Sequence, residues 1–391
     1  MAPKLIYLVT EDWYFWSHRL PMARAALKDG FKVAVACRVD QHRAAIEAEG
    51  IQVLPLSWRR GDNGPVETGR AIIEIAKLYR RERPDIVHHV AIKPSVIGGI
   101  AATLSGTPAV VNALTGIGPM VSRSGPTRFA VQRLMHWVLG RRGNWLILQN
   151  QDDRKRLEAS GLIVPERVTV IRGSGIDTEY YKPLPEPQGG EAGRVTAAYV
   201  GRMLKEKGVP VLVEALRRAR ARGVDIEVLL VGTPDPDNPS SVTEAELRQW
   251  AAEPGIKWRG YVSDVREIWA EAHFAILPSQ REGLPTSLLE AAACGRALIA
   301  TDVPGCREIA RAGENALLVP PDDPEALASA MVSLAQDRAL RLRFAESSRR
   351  LVESDLAVGP VGEATVALYR SLLTERGRGA LTSPRALAAP Q

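Results

Sequence analysis

Short apolar segments alternate with longer segments of helix-forming residues along most of the chain, and this alternation limits the fold more than any other feature. The apolar segments have the length and composition of buried strands. In the first half they lie at 4–9, 31–36, 51–54, 85–88, 109–112, 144–148 and 168–171. The helical segments lie at 19–28, 41–48, 69–81, 95–104, 127–139 and 152–159. Repeated strand–helix units predict a parallel sheet with helices on both faces.

The alternation is interrupted once, which predicts two domains. The segment 173–194 is rich in Gly, Pro and Glu and has the composition of a linker. A second series of strands and helices begins at 195, and 391 residues are many for a single core. We therefore expect one domain over 1–172, a second over 195–376 and a disordered tail over 377–391.

Composition limits the class of protein, the charge of its partner and the compartment that the sequence predicts. It is 45% apolar and 25% charged, as in ordinary globular proteins, and its net charge of +6 suits an anionic partner such as a pyrophosphate or a membrane surface. Cys37, Cys294 and Cys306 have no C-x-x-C spacing, which favours a reducing cytoplasm. The uncharged stretch 94–122 is broken by Gly and Pro, so no transmembrane helix is predicted.

Two carboxylates lie eight positions apart in the segment 279–295, at Glu282 and Glu290. An apolar run at 274–277 predicts a strand before them, and helix formers after Pro285 predict a helix. Glu282 then lies in the loop and Glu290 about one turn into the helix. The helix start suits a diphosphate, and the carboxylates suit ribose and sugar hydroxyls. The alternative is that one Glu caps the helix and the other is solvated.

Two cations follow the strand predicted at 195–200, in Gly-Arg-Met-Leu-Lys-Glu-Lys-Gly. Arg202 and Lys207 would extend from a short loop at the strand's carboxyl end. In that position they can hold a diphosphate and stabilise the charge that develops on it as it leaves. Lys205 is a weaker candidate, and a plain surface role is the alternative for all three.

Both segments resemble the donor site of the retaining glycosyltransferases of family 4. The Glu-x7-Glu pair stands within EGLPTSLLEAAACGRALIATDVPGCREI, and the cations fit the family's G-R-x-x-x-x-K-G diphosphate clamp. The resemblance covers nearly the whole chain. It implies the α/β GT-B fold, in which two Rossmann-like doubly wound domains face each other across a cleft and the last helix crosses back onto the first domain. It assigns the donor sugar to Glu282, the ribose to Glu290 and the diphosphate to Arg202 and Lys207.

The resemblance adds further donor-site residues. Gly232 ends a predicted strand and helps to shape the nucleotide pocket, and Tyr261 belongs to the segment that frames the base. Asp177, in a G-x-G-I-D segment, is interpreted as a turn cap. The donor set comprises Glu290, Gly201, Gly283, Leu284, Pro285, Thr286, Gly232 and Tyr261. The expected donor is a UDP-sugar, and no metal or other cofactor is expected because two cations hold the diphosphate.

The first domain departs from the family at its histidines. Many members have a second His two residues after the first, against the donor sugar, whereas this chain has His88-His89-Val90. It resembles instead a subgroup with the pattern H-H-x-x-x-K-P. His88 is the catalytic candidate, with an interior, hydrogen-bonded role as the alternative. His89 and Lys93 are expected on the acceptor side.

Two more segments contribute to the acceptor side. V-N-x-x-T-G-I-G, which contains Thr115 and Gly116, resembles the same subgroup, whose members extend polyprenyl-diphosphate sugars. Four consecutive aromatic residues at 13–16 cannot all be buried by one helix face. We expect His18 and Arg19, which follow them, to line the acceptor pocket.

A basic segment between Thr127 and Leu139 is expected to contact the membrane. Five arginines and no acidic residue lie between 118 and 148, and apolar residues are interleaved with them. A basic amphipathic helix can lie among lipid headgroups, although a packed core helix gives a similar pattern.

These predictions describe a hexosyl- or N-acetylhexosaminyltransferase. It would act at the cytoplasmic face of the membrane on a lipid-linked saccharide, in polysaccharide or glycan assembly. A nucleotide-sugar 2-epimerase of the same fold is the nearest alternative. An NAD-dependent dehydrogenase needs G-x-G-x-x-G after a strand, and no predicted strand has it. No nucleic-acid partner is expected, because the sequence contains no known nucleic-acid-binding motif.

Overall fold

The chain forms two compact units. The computed structural model describes residues 2–59, 61, 64–117, 133–134, 136–141, 143–188 and 193–378. The first unit comprises Met1–Ser174 and Gly359–Gln391, and the second comprises Gly175–Val358. Each unit has its own parallel sheet, as the alternation of strands and helices predicts.

The first unit contains a seven-stranded sheet in its described part, with the strand order β3-β2-β1-β4-β5-β6-β7. Its strands are β1 (Lys4–Glu11), β2 (Lys32–Arg38), β3 (Gln52–Pro55), β4 (Ile86–Val90), β5 (Ala109–Ala113), β6 (Asn144–Leu148) and β7 (Val168–Val170). Its helices are Asp12–His18, Leu20–Lys28, Arg43–Ala48, Pro65–Glu82, Ile92–Ser105, Gln151–Ala159, the short Pro165–Arg167 and the C-terminal Val358–Arg378.

Both faces of this sheet are covered. Successive residues of a strand point to opposite faces, so Leu5 and Tyr7 pack in one core while Ile6 packs in the other. The first core also contains Leu368 and Tyr369 of the C-terminal helix. That helix is therefore an integral part of the first unit.

The second unit contains a six-stranded sheet in its described part, with the strand order β10-β9-β8-β11-β12-β13. Its strands are β8 (Val195–Val200), β9 (Ile226–Val231), β10 (Ile256–Gly260), β11 (Phe274–Leu277), β12 (Ala297–Thr301) and β13 (Ala316–Val319). Its helices are Val209–Ala221, Glu244–Ala251, Val265–Glu271, Thr286–Ala293, Pro304–Arg307, Pro324–Gln336 and Arg338–Leu351, with short helical turns at Lys205–Lys207 and Val352–Leu356.

Part of the segment expected to be a linker packs against the second unit. The Arg296 guanidinium, buried beneath this segment, donates to the carbonyl oxygens of Leu184 (3.0 Å) and Pro185 (2.9 Å). Glu186 accepts from the Arg341 guanidinium at 2.8 Å. These contacts hold residues 184–186 against the second unit, which begins at Gly175, and residues 189–192 of the expected linker lie outside the described residues. A Gly- and Pro-rich composition predicted the irregular backbone but not its partners.

Two predicted segments fall wholly or partly outside the described residues. The C-terminal helix reaches Arg378, and the rest of the tail from 379 is outside. Of the basic segment between Thr127 and Leu139, only residues 133–134 and 136–139 are described. Within the described residues, no helix combines the length and the apolar character needed to cross a bilayer.

Candidate functional site

The predicted donor residues gather at one edge of the second sheet. β8 and β11 are neighbours, and the chain continues outward from them in opposite directions, to β9 on one side and to β12 on the other. In doubly wound sheets, ligands bind beyond the carboxyl ends of the strands at such a reversal. Gly201 and Arg202 follow β8 directly, and the loop 278–285 follows β11.

Gly208 brings the loops after β8 and β11 together. Its φ is +76°, and a Cβ there would lie 2.1 Å from the Pro278 carbonyl oxygen. Only glycine fits this close approach without strain. The Gln280 N–H also donates to the Glu206 carbonyl at 3.0 Å. The two loops are therefore fixed against each other by their backbones.

Two of the predicted catalytic residues meet at this junction. Lys207 Nζ lies 2.6 Å from Glu282 Oε1. The Glu282 side chain is 9% exposed and that of Lys207 21%, so the pair is largely shielded from water. Such shielding strengthens an ion pair. The spacing in the sequence did not predict this contact, since the residues are separated by 75 positions.

Arg202 has a partner that the sequence analysis missed. Its Nη1 lies 2.7 Å from Asp235 Oδ2, and the side chain is 49% exposed. The Tyr199 hydroxyl donates to the Arg202 carbonyl at 2.8 Å and fixes the backbone at the strand end. Asp235 comes from the loop after β9, where a run of Pro and Asp residues gave no indication of its role.

The loop before the helix Thr286–Ala293 packs against the helix Pro304–Arg307. A Cβ on Gly305 would lie 2.5 Å from the carbonyl oxygens of Glu282 and Gly283, so only glycine allows the helix Pro304–Arg307 to pack there. Leu284 is partly buried against the core, and Pro285 occupies the N-cap position. No side chain among the described residues caps this helix start. Its first amides, near Thr286, are therefore suited to an anion.

Glu290 faces a tyrosine from the segment before β8. The Tyr181 hydroxyl donates to Glu290 Oε1 at 3.2 Å. Burial raises the pKa of Glu290 to about 7, and the hydrogen bond from Tyr181 lowers it by a smaller amount. The residue as a whole is half-buried. Tyr181 was not predicted, because its segment was interpreted as a linker.

The residues predicted near the base lie at the ends of β9 and β10. Gly232 has φ +135°, and a Cβ there would lie 1.9 Å from the Gly201 carbonyl oxygen. Its carbonyl accepts from Trp258 Nε1 at 2.9 Å. Tyr261 follows β10 and is 78% exposed, which leaves its ring accessible for stacking.

Two other residues of the second unit have local roles. Asp177 Oδ1 accepts from the backbone N–H groups of Glu179 (2.9 Å) and Tyr180 (3.0 Å), the geometry of a turn cap. Lys205 is exposed, and its backbone N–H donates to the Ser240 carbonyl at 2.7 Å. The Lys207–Glu282 ion pair involves neither of these side chains.

The two histidines of β4 point to opposite faces of the first sheet and are both fully buried. His88 Nδ1 lies 2.5 Å from the Tyr369 hydroxyl. His89 lies between Asn112 Oδ1 (3.0 Å) and the Tyr79 hydroxyl (3.2 Å), and burial lowers its pKa to about 4. This placement favours an interior role for His89, which the prediction put on the acceptor side. For His88, Nδ1 agrees with the hydrogen-bonded interior alternative, whereas Nε2 has no partner among the described residues.

The remaining acceptor-side residues lie at the carboxyl edge of the first sheet. Lys93 Nζ lies over the Trp58 ring, 5.4 Å from its centroid. Thr115 and Gly116 follow β5 and are half-buried. Their contact with a substrate stays a prediction.

His18 and Arg19 lie in the bend between the first two helices. His18 stacks on Tyr14, with the ring centroids 4.5 Å apart, and burial together with the Arg19 charge lowers its pKa to about 4. Arg19 is only 3% exposed. The four aromatic residues at 13–16 lie in the helix Asp12–His18, which buries Phe15 and leaves Trp13 43% exposed.

Metal-ligating side chains do not cluster in the described part of the chain, where no group of three or more His, Cys, Asp or Glu residues is arranged to hold an ion. Arg202 and Lys207 contribute positive charge at the carboxyl edge of the second sheet.

Comparison with known proteins matches both units to glycosyltransferases. The family model for glycosyl transferases group 1 matches residues 194–337, and the glycosyl transferase 4-like model matches residues 4–150. A capsular polysaccharide biosynthesis glycosyltransferase of Staphylococcus aureus is 23% identical over 321 residues, which cover 78% of this chain and 82% of that protein.

Another relative comes from Campylobacter jejuni. It is an N,N'-diacetylbacillosaminyl-diphospho-undecaprenol alpha-1,3-N-acetylgalactosaminyltransferase, 24% identical over 343 residues, which cover 84% of this chain and 89% of that protein. The structure of Anabaena HepE in complex with UDP and glucose superposes with a TM-score of 0.77 at 19% identity, covering 94% of this chain and all of that one. The two Rossmann-like units therefore have the GT-B fold. From the two family matches, the chain belongs to the group 1, or family 4, glycosyltransferases.

Proposed function

We propose that the protein moves a sugar from a nucleotide diphosphate donor to a saccharide carried on a membrane lipid, with retention of the anomeric configuration. The observation that carries the proposal is the ion pair of Lys207 and Glu282, 2.6 Å long, beside the start of the helix that bears Glu290. A cation, helix-start amides and two carboxylates match the phosphates, the sugar hydroxyls and the ribose hydroxyls of such a donor.

In the proposed reaction, the bond between the anomeric carbon and the phosphate oxygen breaks, and its electron pair leaves with the nucleoside diphosphate. The acceptor hydroxyl oxygen forms the new bond on the same face, and its proton passes to the departing phosphate. Arg202, Lys207 and the amides near Thr286 stabilise the charge on the leaving group. Glu282 orients the sugar and Glu290 the ribose. We propose that these groups suffice without a metal ion.

UDP is the favoured nucleotide, supported by the UDP complex of HepE. A lipid-diphosphate saccharide is the favoured acceptor. The name of the Campylobacter relative contains a diphospho-undecaprenol sugar, and the Staphylococcus relative serves capsular polysaccharide biosynthesis. By this proposal the protein takes part in the assembly of a cell-surface polysaccharide or glycan.

Such an acceptor requires contact with the inner face of the membrane. The proposal is supported by two exposed tryptophans of the first unit, Trp13 (43%) and Trp137 (45%). The Arg141 guanidinium lies 5.1 Å from the centroid of the Trp137 ring. Tryptophan and arginine together are typical of surfaces that lie among lipid headgroups.

The first experiment is a thermal-shift panel of UDP, GDP and ADP with their sugars, and NAD(H). A ligand at about 100 times its Kd adds about 2.7 kcal/mol to the stability of the folded state. We expect a rise in Tm with UDP and with one UDP-sugar. Transfer of that sugar to a lipid-diphosphate saccharide, with the product anomer assigned by NMR, completes the test. An inverted product contradicts retention. A response to NAD(H) alone, or interconversion of UDP-sugars without transfer, contradicts the proposed reaction.

A further inference from the structure

Arg19 is a buried cation without an acidic partner. The residue is 3% exposed, and its Nη1 lies 3.6 Å from the Met22 sulfur. Its Nε has no hydrogen-bond partner among the described residues. No carboxylate in the described part of the chain forms an ion pair with it, and the buried Asp12 carboxylate accepts from the backbone N–H groups of Asp40 and His42. A buried charge is costly unless it is paired, so Arg19 lacks the partner that burial normally demands.

A second unpaired group lies in the same core. His88 Nε2 is buried without a hydrogen-bond partner among the described residues, whereas Nδ1 is bonded to the Tyr369 hydroxyl. The Tyr369 hydroxyl also lies 2.9 Å from the hydroxyl of Tyr7. The rings of Tyr7 and His88 stack with their centroids 5.0 Å apart. These three side chains form one buried hydrogen-bonded chain.

The order of donors in this chain determines which nitrogen of His88 carries the proton. The Tyr7 hydroxyl has no partner other than Tyr369 among the described residues. Its hydrogen is bonded only if Tyr7 donates to Tyr369 and Tyr369 in turn donates to His88 Nδ1. Burial, and then the charge of Arg19, lower the pKa of His88 well below its ordinary value, so the ring is neutral. Its proton is therefore on Nε2, which is a donor.

Two N–H donors without partners among the described residues, Arg19 Nε and His88 Nε2, are thus buried in the first unit. The Arg19 backbone N–H donates to the Phe15 carbonyl oxygen at 2.8 Å, and the Phe15 ring packs against the Tyr7 ring with centroids 5.5 Å apart. Arg19 is thus joined through Phe15 to the stacked rings of Tyr7 and His88. We propose that Arg19 and His88 bind one oxyanion of a phosphoryl group, and that in the transfer reaction this group belongs to the diphosphate of the acceptor. The second half of this proposal rests on the proposed function, and the first half does not.

The binding test uses inorganic pyrophosphate and a background that removes the other predicted phosphate site. In the full-length Arg202→Ala/Lys207→Ala protein, calorimetry at constant ionic strength should detect one pyrophosphate per chain. Adding Arg19→Gln should weaken this binding by about 10- to 100-fold, the usual effect of losing a charged hydrogen bond. Arg24→Gln, on the helix that follows Arg19 but exposed and bonded to Glu49, is the matched control and should have no effect. Absence of binding in the background protein, or binding that survives Arg19→Gln, overturns the proposal.

Two readouts guard against a variant that merely disturbs the fold. Without any substitution of Arg19, pyrophosphate should shift the ¹⁵N resonance of His88 Nε2 in the background protein, and an unchanged resonance contradicts the site. Arg19→Gln should also raise the Tm of the protein measured without anion, by about 2–4 °C, because it removes an unpaired buried charge. A lower Tm would mark Arg19 as a structural residue and would overturn the proposal.

Kinetics then identify the source of the phosphoryl group. Arg19→Gln in the otherwise native protein should raise KM about 10-fold or more for a short-chain lipid-diphosphate saccharide. It should leave KM unchanged for the UDP-sugar and for an alkyl glycoside of the same saccharide. An equal rise for both acceptors would overturn the assignment to the acceptor and leave a site for free phosphate. Lack of transfer to either acceptor by the native protein would overturn the proposed function, while the pyrophosphate result would stand on its own.

Discussion

The two units differ in whether their cations have carboxylate partners. In the second unit, the cations already have carboxylate partners: Lys207 is paired with Glu282 at 2.6 Å and Arg202 with Asp235 at 2.7 Å. In the first unit, Arg19 is more deeply buried and has no carboxylate partner among the described residues. An anion that enters the second unit must exchange partners, whereas one that reaches Arg19 supplies a missing partner. Binding of an anion therefore breaks an existing ion pair in the second unit, whereas in the first unit it breaks none among the described residues.

This difference predicts that loss of a pairing carboxylate in the second unit lowers the rate of transfer but leaves the stability of the fold almost unchanged. Glu282→Ala should lower kcat/KM by about 1000-fold, because it removes both the group that orients the sugar and the partner of Lys207. The Tm should change little. Transfer assays with the UDP-sugar measure the effect.

The matched control is Glu325→Ala. Glu325 also pairs with arginines, but it is 60% exposed and lies on the helix Pro324–Gln336, so its loss should leave the rate unchanged. Near-native turnover of a folded Glu282→Ala protein would remove Glu282 from the proposed mechanism.

The raised pKa of Glu290 predicts an effect of pH on donor binding. Below its pKa of about 7 the carboxyl is protonated and loses an acceptor for the ribose hydroxyls. Because a UDP-sugar has no group of its own that titrates between pH 6 and 8, its Kd should be about 10-fold higher at pH 6 than at pH 8. Calorimetry across this range measures the change, and Glu290→Gln should give a flat profile. A native profile as flat as that of the variant would contradict the role of Glu290.

The same shift has a consequence for stability, with a definite sign. Because the pKa of Glu290 is higher in the folded state than its ordinary value of 4.5, the folded state binds the proton more tightly. The stabilisation is complete below about pH 4.5 and is lost as the pH rises through about 7. Glu290→Gln should therefore raise the Tm more at pH 8 than at pH 5, and the reverse order would contradict the shift.

The smallest predicted effect concerns the partner of Arg202. Asp235→Asn releases the guanidinium from an exposed ion pair, so the donor diphosphate no longer displaces a carboxylate. Affinity for the UDP-sugar should increase by about 2- to 5-fold, the range expected for an exposed pair. Asp225→Asn is the control, since Asp225 also pairs with arginines but precedes β9, at the opposite edge of the sheet. Weaker donor binding to Asp235→Asn would mean that Asp235 positions Arg202 for the ligand.

Much of the fold is predictable from local sequence. The alternation of strands and helices predicts both parallel sheets, because strand length, apolar composition and helix formers are local properties. The helix at 92–105 starts earlier than predicted, since Pro94 is tolerated within the first turn of a helix. The loop and helix positions of Glu282 and Glu290 also follow from the sequence.

The partners of these residues depend on the tertiary fold and could not be predicted. Tyr181 approaches Glu290 from a segment without regular structure, and Tyr369 meets His88 across 281 positions. Neither contact has a periodic or compositional signal. The alternation of side chains along β4 does place His88 and His89 on opposite faces of the sheet. The two histidines therefore cannot share one pocket, a conclusion that needs only their adjacency in a strand.

The division of the chain also sets the order in which its parts can be completed during synthesis. Residues up to Ser174 are made before the second unit, yet their unit lacks Tyr369 and the rest of the helix Val358–Arg378 until after the second unit has been made. The second unit is contiguous, and Ile176 and Ala357 pair where the chain enters and leaves it. The second unit can therefore finish folding first, and the first unit is completed only when the helix Val358–Arg378 has been made. A fragment of 175–358 should fold alone, whereas one of 1–174 should expose the core that the last helix covers.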